Sequence, residues 1–107
     1  MHDLITIVER EFGYIGYCKC CNSANLAFKN SLFCFDLPSL KYFYNTIKNG
    51  DALRSFSTSH GKDYLIHTPI SNYYIMLDVE EIADLLLLIN DSFLYLDSQH
   101  SADVNNN

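Results

Sequence analysis

The chain has 107 residues, 49% of them apolar and 14% aromatic, with no Trp. That length fits one domain, which buries roughly 65% of the surface its unfolded form exposes and so can stand without disulfides. A net charge of −6 brings no counterion release from phosphates, which argues against nucleic acid as a partner.

Leu4 to Val8 (L-I-T-I-V) is apolar and β-branched and predicts a strand, with a turn over Glu9 to Gly13. Tyr14 to Cys18 resumes extended structure, and Gly16 within it suggests a bulge or a close backbone approach. Cys20-Cys21-Asn22-Ser23 reads as a turn that leads from Cys18-Lys19 into a hairpin, Ala24 to Phe28 and Leu32 to Phe35. Its connection is Lys29-Asn30-Ser31, with Asn30 suited to a positive φ. Asp36 is placed to cap a first helix, with Pro38 in its first turn and Leu40, Phe43, Tyr44 and Ile47 as its apolar stripe. Lys48 and Gly50 suit its end.

Residues 50–62 read as the longest loop, and loops of that length often carry function. Asp63 to Thr68 and Tyr73 to Leu77 predict two strands around a turn at Pro69 to Asn72. Asp78 and Glu81 form a capping box at the start of a second helix. Ile82, Leu86, Ile89, Phe93 and Leu96 repeat in its sequence like a heptad seam, while Leu85, Leu87 and Leu88 widen its apolar face. Glu80, Glu81, Asp84 and Asp91 lie along one side and read as a solvated face rather than a cation site. Residues 98–107 are polar and Asn-rich, which predicts a disordered tail. The expected architecture is a single α+β domain over 1–97, an antiparallel meander of five to six strands with two helices on one face, in the order ββββαββα.

The start, Met1-His2-Asp3-Leu4, lacks the positive and apolar regions of a secretion signal. The longest apolar run, Leu85 to Ile89, is far short of the roughly 20 residues a membrane span takes. The expectation is a cytoplasmic protein with no membrane partner, whose thiols stay reduced. The charge is also uneven. All seven Lys and Arg lie at or before Lys62, and eight of the thirteen acids lie from Asp63 onward. A solvated acidic helix accounts for this split; complementarity to a second copy or a basic partner is the alternative.

The four cysteines lead the candidate chemistry. Cys18, Cys20, Cys21 and Cys34 match zinc in number, since a structural site takes about four thiolate or imidazole ligands. His60 or His67 offers a substitute. Against this stands the spacing, because an extended chain points Cys18 and Cys20 to one face and Cys21 to the other. Packed, reduced thiols are the alternative. The loop S-T-S-H-G-K lacks two of the four fixed positions of a phosphate loop, having Phe56 and Asp63 where Gly and Ser or Thr belong. Cys20 or Ser59 with His60 or His67 supplies a nucleophile and a base, with no strand–turn–helix elbow around them, so the reading leans away from an enzyme.

Cys18 to Cys21 (C-K-C-C), Asn25 to Asn30 (N-L-A-F-K-N), His67 to Ile70 (H-T-P-I) and Asp78 to Glu81 (D-V-E-E) together resemble a family of short, uncharacterised bacterial proteins. That family has a C-x-x-C-like pair before an h-x-h-x-F-G-N hairpin, and Lys29 stands here at its Gly. The resemblance spans most of residues 14 to 96 and implies no activity, substrate or cofactor. The expected function is an interaction or regulatory module, a homodimer through helix 78–96. A domain with a structural zinc site on the cysteines, and a small-ligand or catalytic site at loop 50–62, are the alternatives.

Overall fold

The computed structural model describes residues 4–50, 53–55 and 59–105. Along them run β1 (Ile5–Arg10), β2 (Gly13–Cys18), β3 (Ser23–Phe28), β4 (Ser31–Asp36), α1 (Leu37–Lys48), β5 (Leu53–Ser55), β6 (Tyr64–His67), β7 (Tyr74–Leu77) and α2 (Val79–Asn105). The α+β class and the order ββββαββα hold, with β5 a short addition inside the stretch expected to be loop. The strands do not form one meander. β1 to β4 make one antiparallel sheet in sequence order, and β5 to β7 make a second. The break falls where α1 follows β4 without an intervening residue and carries the chain away from that sheet's open edge. Residues 51, 52 and 56–58 of the expected ligand loop lie outside the described residues.

Alternation gives the first sheet one helix-covered face. Ile15, Leu26 and Phe33 form one row across β2, β3 and β4, and Tyr17, Ala24 and Phe35 form the next. Both helices cover this face. α1 lies over β3 and β4, α2 over β1 and β2, and the two helices touch. Leu40, Phe43 and Ile47 are the buried stripe of α1, and the Phe43 ring packs on Phe33 and Phe35 at centroid separations of 6.0 and 5.2 Å. The opposite face shows Tyr14 and Leu32 to solvent on either side of half-buried Ala27.

The helix starts follow their capping chemistry. The Asp36 carboxylate accepts from the Ser39 N–H at 2.7 Å, and these bonds hold its pKa below the usual value. At α2, Asp78 accepts from the Glu81 N–H at 2.8 Å and Glu81 accepts from the Asp78 N–H at 3.1 Å, the reciprocal pair of a capping box. Glu81 is nevertheless no part of a solvated face, being only 8% exposed. Its carboxylate takes the Lys62 ammonium directly and has that of Lys29 at 3.9 Å. Asp91 likewise meets Arg10 of β1. The acidic side of α2 is thus partly an anchoring side, because cations distant in sequence fold onto it.

The apolar face of α2 also differs from the expected seam. Leu85, Leu88, Ile89 and Ser92 are the fully covered positions, and Ile82, Leu86 and Phe93 pack beside them on the same core. The heptad-like residues are therefore consumed by the chain's own sheet, as a wide apolar face on a long helix allows. The helix then continues to Asn105, past the Asp97 boundary where the polar tail was expected to begin; propagation adds a hydrogen bond for each residue it orders. Among the described residues no helix is long and apolar enough to cross a membrane.

Of the two alternatives at Gly16, a bulge occurs on the neighbouring strand and the close approach falls at a different glycine. The bulge lies opposite it on β1, where the register shifts between Thr6 and Val8. The close approach is at Gly13, where an added Cβ would fall 2.1 Å from the Ala27 carbonyl oxygen. In the β3–β4 turn the positive φ belongs to Lys29, at 55°, rather than to Asn30. Phe28 and Ser31 are paired there, which leaves only two residues in the connection.

Candidate metal centre

β2 and β3 remain paired as far as Cys18 and Ser23, so the four residues Lys19 to Asn22 make the connection. The Asn22 N–H donates to the Lys19 carbonyl at 3.3 Å, and the Asn22 carbonyl accepts from the Leu37 N–H at 3.1 Å. Asn22 closes the turn at φ 52°, a left-handed conformation that Asn tolerates better than most residues. Asn22 therefore closes the turn on Lys19 and ties it to the first residue of α1.

This turn overturns the argument from spacing. Read as a strand, Cys21 points away from Cys18 and Cys20; as part of a turn it curls back. Cys18 Sγ lies 3.3 Å from Cys20 Sγ, and Cys20 Sγ lies 3.8 Å from Cys21 Sγ. All three sulfurs fall within 4.8 Å of one another. Cys18 is buried at the strand end, while Cys20 and Cys21 face solvent. Among the described residues this is the one grouping of three or more Cys, His or acidic side chains close enough to share an ion.

Cys34 is elsewhere. It pairs with Asn25, which pairs with Gly16, on the outer face of the sheet. Two strand spacings and two residues separate it from Cys18, about 12 Å. The histidines also lie outside the thiol group. His60 Nδ1 accepts from the Lys62 N–H at 3.3 Å, and the His67 ring packs on Tyr74 at 4.6 Å.

The thiols are electrostatically linked. Hydrogen bonding from Cys20, assisted by Cys21, lowers the Cys18 pKa against the opposing effect of burial. The bond to Cys18, followed by desolvation and by Cys20, pushes Cys21 up to about 12. These shared hydrogen bonds favour ionisation of Cys18 over that of Cys21. An ion binding all three displaces the protons, which is the ordinary linkage of thiolate sites.

The donor set suits soft ions such as zinc or copper(I), for which thiolate is the preferred ligand. With zinc–sulfur bonds of about 2.3 Å, a tetrahedron has sulfur–sulfur edges of about 3.8 Å, close to the separations in the turn. Three protein ligands leave one position of a tetrahedron open.

A groove of about 410 Å³ lies between α1 and the β6–β7 hairpin, with Tyr42, Phe43, His67 and Pro69 among its walls. Of the described residues of loop 50–62 none lines this groove, which draws on the strand that follows and on the exposed side of α1. Sequence patterning marks Tyr42 only as a position off the apolar stripe, so no local signal pointed there.

A thiol-rich turn at the end of an antiparallel sheet, with two helices closing the other face, defines a small α+β protein bearing a three-cysteine centre. The chain belongs to DUF6686, a family of unknown function whose model matches residues 1–99. No curated protein and no solved structure matches it.

Proposed function

We propose that this protein binds a soft metal ion through Cys18, Cys20 and Cys21, with zinc the first candidate. The observation that supports it is the convergence of three sulfurs within 4.8 Å on a turn that Asn22 closes on Lys19 and ties to the start of α1. The ion neutralises the thiolates and holds the turn closed, and the open position is where an external ligand reaches it. Because the site lies at the end of a sheet whose core is already filled, the ion serves the exposed turn rather than the fold as a whole.

The test is elemental analysis of tag-free protein purified without chelators, beside a Cys18→Ser variant. About one equivalent of zinc or copper per chain, lost in the variant, is the expected result. Less than about a tenth of an equivalent, with no uptake on titration under reducing conditions, would end this reading.

A second reading, an interaction module that pairs with another copy, is favoured by the outer side of α2. Val79, Leu87 and Leu94 are 63, 47 and 59% exposed and lie on one side of the helix, opposite Leu85, Leu88 and Ser92. Sedimentation separates this from the metal reading: a dimer that Leu87→Glu converts to monomer supports it, and a wild-type monomer at micromolar concentration removes it.

A further inference from the structure

A cleft of about 390 Å³ opens at the same end of the molecule as the thiols, within the range of small-molecule sites. Ile5 and Ile7 of β1, Tyr17 of β2, Leu37 of α1, and Tyr95 and Leu96 of α2 form its walls. It lies where the sheet's covered face ends, beside the turn that leads from β2 to β3. Two polar side chains complete the lining, Lys19 and Gln99.

Lys19 is the informative residue. It stands inside the cysteine turn, it is exposed, and among the described residues no ion pair occupies its ammonium. Among the described residues, no carboxylate lines the cleft. In a chain of net charge −6, the general field repels anions, so an anion is held only where a cation is local. A narrow apolar floor with one cation at its rim is complementary to a ligand with an aliphatic body and an anionic head.

We infer that this cleft binds an aliphatic monocarboxylate of medium chain length, its tail against Ile7, Tyr17 and Leu96 and its carboxylate on the Lys19 ammonium. The bond at the head is charge-assisted, and the tail contributes through burial of methylene groups. The inference rests on the cleft and its charge, and stands whether or not the thiols hold metal.

The experiment is calorimetric titration of the full chain with decanoate below its micelle concentration, with decanol and decyltrimethylammonium as head-group controls. Chemical shifts of Tyr17 and Tyr95 locate the site. One decanoate per chain, shifts at both tyrosines, and affinity about tenfold weaker in Lys19→Gln are expected, as loss of one charge-assisted hydrogen bond dictates. The controls should bind more weakly by a similar factor. Equal binding of decanol or of the ammonium, undiminished affinity in Lys19→Gln, or shifts confined to the groove beside His67 would each overturn the assignment. A Cys20→Ser, Cys21→Ser variant that retains decanoate binding but takes up no metal keeps the two sites distinguishable.

Discussion

The two ends of the first sheet are built on opposite plans. At one end the tight turn Lys29-Asn30 lies beside the turn Glu11-Phe12, with Gly13 pressed against the Ala27 carbonyl and Phe12 edge-on to Phe28 at 6.1 Å. The Lys29 N–H bonds the Phe12 carbonyl at 2.8 Å, and the Lys29 side chain reaches toward Glu81 at the start of α2. At the other end the turn Lys19 to Asn22 is longer and shows two thiols and an ammonium to solvent. The first end spends its polar groups inward, on joining sheet to helix. The second shows Lys19, Cys20 and Cys21 to solvent, and that contrast in exposure is the main reason to look for function at the cysteine turn.

The comparison can be broken at its tightest point. Gly13→Ala places a methyl inside contact distance of backbone on the neighbouring strand, so a loss of more than about 3 kcal/mol is expected in urea unfolding. A mild effect would show that this end yields easily. Next in size is Glu81→Ala, which removes half of the capping box and the partner of Lys62 at once. With the Lys62 side chain 39% exposed, screening limits the ion pair, and about 2 kcal/mol is expected in all.

A smaller effect lies in the alkaline range. Hydrogen bonding to Glu81 raises the Lys62 pKa above 10.5. A raised folded-state value means that this contribution is fully present below pH 10.5 and is lost as pH rises through the folded value. Lys62→Met should therefore flatten the alkaline limb of the melting-temperature profile. The acid limb contains Asp36, whose lowered value gives a contribution present above 3.8 and lost as pH falls.

The smallest effect belongs to the cysteine end. Replacing Cys20 and Cys21 together by Ser should leave the melting temperature of metal-free protein unchanged, since both are exposed and surface substitutions are usually near neutral. The same variant should abolish any stabilisation by added zinc. A large drop without metal would place these thiols among the structural contacts and erase the contrast between the two ends.

Much of the frame was legible because local chemistry dictates it. Asp36 with Pro38, and Asp78 with Glu81, mark helix starts by supplying acceptors to unpaired N–H groups, and both do so. Alternation located β2 to β4, and three- and four-residue spacing located α1. What sequence patterning misplaced depended on groups that meet only after folding. The burial of Glu81 required Lys62 and Lys29 to arrive from other segments, and the division into two sheets depended on where α1 carries the chain. The thiol cluster was half visible: the residue types were evident, but alternation along an extended chain set Cys21 apart from its neighbours, and counting ligands drew in Cys34, which its register places elsewhere.

By itself, then, the sequence determined the α+β class, the caps, the covered face of the first sheet and the identity of the thiols, because each follows from interactions within a few residues. Tertiary structure alone decided that Cys18, Cys20 and Cys21 converge while Cys34 does not, that α2 turns its heptad-like residues inward, and that Lys19 overlooks an apolar cleft. The physical reason is the same in each case. Turn closure and packing set side-chain direction over distances at which sequence spacing carries no geometric information.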